Sequence, residues 1–182
     1  MSPSSRSATR IHGTLVEVAG VGVLMLGASG IGKSECAIEL VVRGYRFVAD
    51  DVVLLSRDGD GVVSGEAHEL VRHYIEIRGL GIVHVPTLFG ASAVAERARV
   101  DLVVELEAWG AHEVDRVGID RMHHALAGLD VPAVRVPVAP GRNVATLVEV
   151  AARKFLRDRV GSSGAVELDD RVLAALRQDE GQ

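Results

Sequence analysis

Short apolar blocks, cut by glycine, proline and acidic residues, follow one another along most of this chain, and few of them have a helical period. Gly22-Val23-Leu24-Met25-Leu26 is an unbroken apolar run of strand length, suited to burial on both faces. Thr14 to Val18 predicts a strand before it, with Gly20 to Gly22 as the turn between them. Glu35 to Arg43 then has the length and composition of an amphipathic helix, stopped by Gly44 at a C-cap position. Arg46 to Ala49 and Val52 to Ser56 are β-rich runs flanking Asp50-Asp51. The turn Arg57-Asp58-Gly59-Asp60-Gly61 leads into a further strand at Val62-Val63.

Tyr74 to Val85 is mostly apolar and broken by Gly79 and Gly81, and Leu88 to Ala98 reads as partly helical. Val100 to Leu106 is the clearest strand of the second half. Val131 to Val138 carries Pro132, Arg135 and Pro137 and so predicts an edge strand. Asn143 to Val160 predicts a helix with Asn143 or Thr146 near its start. After the break Gly161-Ser162-Ser163-Gly164, the amphipathic segment Val172 to Leu176 predicts a helical tail over 161–182. So many β-runs with so few helices do not describe a regularly alternating fold. They predict an α/β domain over residues 11–160 with a mixed, partly antiparallel sheet and helices packed on it.

Composition narrows the class. A chain of 182 residues suits one well-buried domain, and 48% hydrophobic residues indicate a globular core. No apolar run reaches membrane-span length. Residues 1–10, rich in Ser and Arg, lack the apolar stretch of a signal peptide and read as a disordered leader, which points to the cytoplasm. The single cysteine, Cys36, excludes a disulfide framework and reads as a buried apolar residue of the first helix. A net charge of -5 and 3% aromatic residues argue against a nucleic-acid partner.

Between the apolar strand and the first helix stands Gly27-Ala28-Ser29-Gly30-Ile31-Gly32-Lys33-Ser34, a complete phosphate-binding loop. Its glycines let backbone N–H groups converge on phosphate oxygens, and the new helix points its positive end at the same place. Lys33 is placed to reach the β/γ-phosphates and the Ser34 hydroxyl to hold Mg²⁺. Lys33 and Lys154 are the only lysines among 20 basic residues. A lysine in so arginine-biased a chain marks a site wanting a compact point charge.

Other residues are candidates for the same chemistry. In Asp50-Asp51, strand alternation would turn only one carboxylate toward a γ-phosphate, where it could orient and deprotonate a hydroxyl. Glu105, at the end of an apolar strand, competes with that pair as the acidic partner of the loop. Glu76-Ile77-Arg78-Gly79-Leu80-Gly81-Ile82 sets two charges among bulky apolar residues, where they need a partner or a metal. Glu76 is therefore a candidate Mg²⁺ ligand, and Arg78 either its partner or a phosphate clamp. His68 and His73 are five apart, wrong for two ligands on one helix face, and His123-His124 has no second pair at metal-site spacing.

Taken together, these motifs resemble the catalytic domain of bacterial HPr kinase/phosphorylase, over about His12 to Phe155. The most specific part is Glu76 to Val83. Ala49-Asp50-Asp51, Asp115-Arg116-Val117-Gly118 and Pro137 to Asn143 are similar in order and spacing. The resemblance implies a fold like phosphoenolpyruvate carboxykinase, a hexamer, and a short form without the N-terminal domain of longer members. It also implies an ATP- and Mg²⁺-dependent kinase for a serine of HPr, the phosphocarrier of sugar uptake, or of an HPr-like carrier. The same site would remove that phosphate with inorganic phosphate, releasing pyrophosphate.

Carried over by resemblance, His12, Lys33, Asp51 and Arg116 are active-site residues, and Ser34 and Glu76 bind Mg²⁺. Pro137 to Arg142, with Gly141, is tied to dephosphorylation. Asp51 is preferred as the base, though the residues themselves leave Asp50 open. Ala28 and His84 depart from the pattern, standing where many members carry acidic residues. Two other readings use the same loop: a kinase for a small hydroxyl compound, and a non-catalytic nucleotide-sensing module.

Overall fold

The computed structural model of the chain describes residues 9–110 and 122–159. Arg116 and the tail 161–182 therefore lie outside the described residues. The chain opens with β1 (Thr9–His12), β2 (Thr14–Val18) and β3 (Val21–Gly27), followed by α1 (Lys33–Val42), β4 (Arg46–Ala49), β5 (Val52–Arg57) and β6 (Val63–Glu66). A hairpin of β7 (Tyr74–Ile77) and β8 (Gly81–His84) runs into the short α2 (Val85–Phe89). Then come β9 (Arg97–Arg99), β10 (Leu102–Ala108), β11 (His123–Leu126), β12 (Leu129–Val138) and α3 (Val144–Arg159).

A six-stranded sheet in the order β11-β12-β10-β3-β2-β4 forms the middle layer. Its β3, β10 and β12 run parallel, whereas β2, β4 and β11 are joined antiparallel. An antiparallel sheet, β1-β5-β6-β9, covers one face, and α1 and α3 cover the other. Strand alternation explains the apolar runs: Val23 and Met25 of β3 face the helices, while Leu24 and Leu26 face the second sheet. Likewise Leu102, Val104 and Leu106 of β10 join the helix-side core and Val103 the other. A strand buried on both sides has no solvent face on which to alternate polar residues.

Helix α1 ends as Gly44 requires. With φ +91° at Gly44, the Gly44 N–H donates to Val41 O at 2.9 Å and the Tyr45 N–H to Leu40 O at 3.1 Å. That pair of bonds satisfies carbonyls the helix would otherwise leave unpaired. At the start of α3, Asn143 Oδ1 accepts from the Thr146 N–H at 2.7 Å, an N-cap. Glu149 of α3 ties the two helices together, accepting from Arg43 Nη1 at 3.0 Å and from the Tyr45 hydroxyl at 2.7 Å. Cys36 is buried in this core, and burial pushes its thiol up to about 12.

Local expectations meet different outcomes. Val131 to Val138 is an edge only in part: β11 pairs with the segment from Leu129 to Pro132 through a tight turn at Ala127-Gly128, both at positive φ. From Ala133 onward β12 pairs with β10. Leu88 to Ala98 is partly helical as expected: α2 ends at Gly90 with φ +88°, a 3-10 turn spans Ala91–Ala93, and Phe47 O then captures the Ala95 N–H. His68 caps a single 3-10 turn, Glu69–Val71, so no α-helix joins His68 to His73. Among the described residues, no helix is long and apolar enough to cross a membrane.

Candidate functional site

The loop from Gly27 to Gly32 leaves the C-terminal end of β3, where ligands of open α/β sheets bind. Gly27, Gly30 and Gly32 all have positive φ, at 146°, 80° and 106°. A Cβ at Gly27 would stand 2.5 Å from Leu106 O, and one at Gly30 would stand 2.9 Å from Arg78 Nη1. The loop thus runs through three positions at positive φ, with Arg78 folded over Gly30. Ala28 and Ile31 close a turn through the Ile31 N–H and Ala28 O at 3.2 Å. Lys33 Nζ donates to Gly27 O at 2.8 Å and to Ala28 O at 3.0 Å, which parks the ammonium on the loop's own carbonyls.

Across from Lys33 stands the acidic pair. Asp50 is half-buried: its Oδ2 accepts from Ser34 Oγ at 2.8 Å and its Oδ1 from the fully buried Thr14 hydroxyl at 2.6 Å. Burial raises its carboxyl above the ordinary aspartate value, against the pull of the Thr14 and Ser34 hydrogen bonds. Asp51 is different. It sits at φ +65° in a three-residue turn closed by the Val52 N–H and Asp50 O at 2.8 Å, a rare and strained conformation. The Gly13 N–H donates to Asp51 O at 3.1 Å and steadies the turn.

Strand pairing brings His12, opposite Val52, alongside, with Nδ1 3.7 Å from Asp51 Oδ1 and both side chains largely exposed. The pair lies in a turn rather than a strand, so strand alternation does not set which way each residue faces. Both carboxylates line one cavity of about 380 Å³ with His12, Gly27, Ser29, Gly30, Gly32, Lys33, Ser34, Glu35, Glu76 and Arg78.

Glu76 and Arg78 reach the cavity from the β7–β8 hairpin. Ile75 and Ile77 turn inward, so Glu76 and Arg78 are exposed rather than embedded, and no ion pair joins them among the described residues. Gly79 and Gly81, both at φ +85°, form the hairpin turn and do not line the cavity. Gly141 and Arg142 also lie off its wall; the Arg142 guanidinium rests 5.1 Å over the Trp109 ring. Glu105 is not in the site either: it meets His124 Nδ1 at 2.8 Å and Arg135 Nε at 3.4 Å.

Sequence reasoning missed Thr14 and Glu35. Glu35 was visible as an acidic residue in a helix first turn, whereas nothing in the chain announces that a lone threonine will lie beneath Asp50. A larger cavity, about 470 Å³, lies elsewhere between Val63, Asp101, Pro132 and Asp158, away from the phosphate loop. The smaller one holds the converging charges, the glycines and the helix N-terminus, which makes it the candidate site.

This geometry can be set beside known proteins. The family model of the HPr serine kinase C-terminal domain matches residues 5–172. The chain is 46% identical over 169 residues to the HPr kinase/phosphorylase of Geobacter sulfurreducens, covering 92% of this chain and 53% of that protein. It is 47% identical over 174 residues to that of an Exiguobacterium species, covering 95% and 56%. The chain thus spans about half the length of these relatives. Among solved structures, the Hpr(Ser) kinase/phosphatase from Coxiella burnetii aligns with a TM-score of 0.78 at 29% identity, covering 88% of this chain and 98% of that one.

Proposed function

Because the chain belongs to the HPr serine kinase C-terminal domain family, we propose that it transfers the γ-phosphoryl group of ATP to a serine of an HPr-type phosphocarrier protein. In the reverse sense it removes that phosphate by attack of inorganic phosphate, releasing pyrophosphate. The observation that carries the reading is the single cavity lined by Lys33, Ser34, Asp50, Asp51 and Glu76.

The residues present fit a magnesium nucleotide. The glycine cradle holds three positions at positive φ and opens on the N-terminus of α1, as phosphate oxygens require. Ser34, Asp50, Asp51 and Glu76 offer hard oxygen donors, and Mg²⁺ commonly takes one or two carboxylates together with substrate phosphates and water. Bound there, the metal offsets charge on the phosphates and the nucleotide supplies the phosphoryl group.

The chain's own groups divide the remaining work. Lys33 leaves the loop carbonyls to meet the β/γ-phosphates. Asp50, with both oxygens engaged, holds the Ser34 hydroxyl in place. Asp51, whose carboxylate makes no hydrogen bond among the described residues, takes the proton of the attacking serine hydroxyl. In the reverse direction it returns a proton to the same oxygen. His12 orients Asp51, and the resemblance adds Arg116 as a further active-site residue.

An apolar hollow adjoins the carboxylates, sharing Asp50, Asp51 and Glu76 with the first cavity and continuing over Leu54, Leu70, Val71, Tyr74 and Ile82. A protein surface suits such a floor better than a small polar alcohol does. The same reading carries ATP and Mg²⁺ as cofactors, a hexamer as the assembly and the cytoplasm as the compartment. Radiolabel transfer from ATP to purified HPr tests it, with Lys33→Ala and Asp51→Ala as controls. A folded protein that binds ATP yet labels no HPr-like carrier removes the proposal.

A further inference from the structure

Trp109 is the chain's only tryptophan, and the residue is 58% exposed. It follows directly on β10, whose Leu106 stands in register with Gly27 at the mouth of the phosphate loop. Three residues at the rise of a strand place it about 10 Å farther along, one strand to the side of the cradle. The Trp109 backbone N–H donates to Val138 O, the last residue of β12, at 2.9 Å, so the residue stands where two parallel strands end together.

The Arg142 guanidinium lies over that ring at 5.1 Å. Arg142 is itself held by a hydrogen bond from Nη1 to Pro137 O at 3.2 Å and by a turn in which its N–H donates to Ala139 O at 3.1 Å. An indole and a guanidinium are the two side-chain surfaces best suited to stack on a flat aromatic ring. Here they are fixed at the C-terminal ends of the parallel strands, on the β10–β12 side of the loop, opposite the side from which Asp50 and Asp51 enter.

We propose that Trp109 and Arg142 form the platform on which the base of the bound nucleotide stacks, while the loop holds its phosphates. The proposal rests on reading the loop as a nucleotide cradle. It adds where the base goes and what kind of base fits. Neither side chain reads a hydrogen-bonding edge, so ATP and GTP bind alike, and purines bind better than pyrimidines because they present more surface to stack.

The test uses Trp109 as its own reporter. The protein is titrated in Mg²⁺ buffer with ATP and, separately, with inorganic tripolyphosphate, which carries the same phosphates and no base. ATP is expected to quench the Trp109 emission and tripolyphosphate to leave it nearly unchanged. By calorimetry, Trp109→Ala weakens ATP binding about tenfold, leaves tripolyphosphate within about twofold, and Trp109→Phe recovers most of the loss. Equal weakening of both ligands, or of neither, overturns the platform. If neither ligand binds the unaltered protein, the cradle reading fails first and takes the platform with it; ATP binding lost on Lys33→Ala but indifferent to Trp109→Ala fails the platform alone.

Discussion

The Ser34 hydroxyl and the Asp50 carboxylate are joined by a 2.8 Å hydrogen bond between the first turn of α1 and the end of β4. Asp50's other oxygen is taken by Thr14, so both of its oxygens are engaged. Asp51, one residue on, has the opposite character: exposed, strained and aimed into the same cavity.

These roles separate under mutation. Asp51→Asn should lower kcat by about 10²- to 10⁴-fold while ATP still binds. Asp50→Asn should chiefly raise the Mg²⁺ and ATP concentrations needed for half-maximal rate. Steady-state kinetics beside calorimetric ATP binding measures both, and equal kcat losses in the two variants would contradict the division.

Asp50 also sets a stability prediction. Its folded-state pKa lies above the ordinary value through burial, so the folded chain binds the proton more tightly than the unfolded one. Its charge therefore weakens the fold as pH rises from the ordinary carboxylate pKa through the raised one. Asp50→Asn should melt higher than the parent at neutral pH and alike well below the ordinary carboxylate pKa. Thermal unfolding across pH decides it.

Thr14→Val removes a hydroxyl from a fully buried position while keeping its volume, and leaves one Asp50 oxygen unpaired. The expected loss is about 1–3 kcal/mol of stability. Thr14→Ser should restore most of it, and urea unfolding of the pair distinguishes a lost hydrogen bond from a packing defect.

Glu149 clamps α1 to α3, and its carboxyl is lowered from 4.5 to about 2, first by the Tyr45 hydroxyl and then by Arg43 and Arg153. A depressed carboxylate contributes stability that is present above the unfolded value and lost as pH falls through the folded one. Glu149→Gln should be the less stable protein at neutral pH, with the gap closing between about 4.5 and 2. A gap independent of pH in thermal melts would assign the clamp to shape rather than charge.

The loop glycines differ in kind. Gly27→Ala meets Leu106 O at 2.5 Å as well as a positive φ, whereas Gly32→Ala meets no atom within 4 Å and carries only the φ strain. Gly27→Ala should therefore cost more, with Gly32→Ala limited to about 1–2 kcal/mol. Paired melting curves rank them.

Local physics was written plainly in the chain. The phosphate loop, the end of α1 at Gly44, the Asn143 cap and the runs of β3 and β10 depend on residues a few positions apart, so their chemistry is visible in order. The β7–β8 hairpin was half legible. Its glycines marked the turn, but whether Glu76 and Arg78 faced in or out depended on which face Ile75 and Ile77 buried. That follows from packing against other elements.

By itself, then, the sequence determined the strand-loop-helix that makes a phosphate cradle, the candidate acids and the β-rich character of the domain. Tertiary structure alone decided which candidate acids stand beside the loop: pairing of β10, β11 and β12 hands Glu105 to His124 and Arg135, while the turn at Asp51 brings both aspartates to the cavity. It also put Thr14 under Asp50 and set Arg142 on Trp109. The reason is range. Caps, turns and periodicity are fixed by neighbours along the chain, but a side chain's partner across a sheet is set by register and by which face the core takes, and a one-residue change in either redirects it.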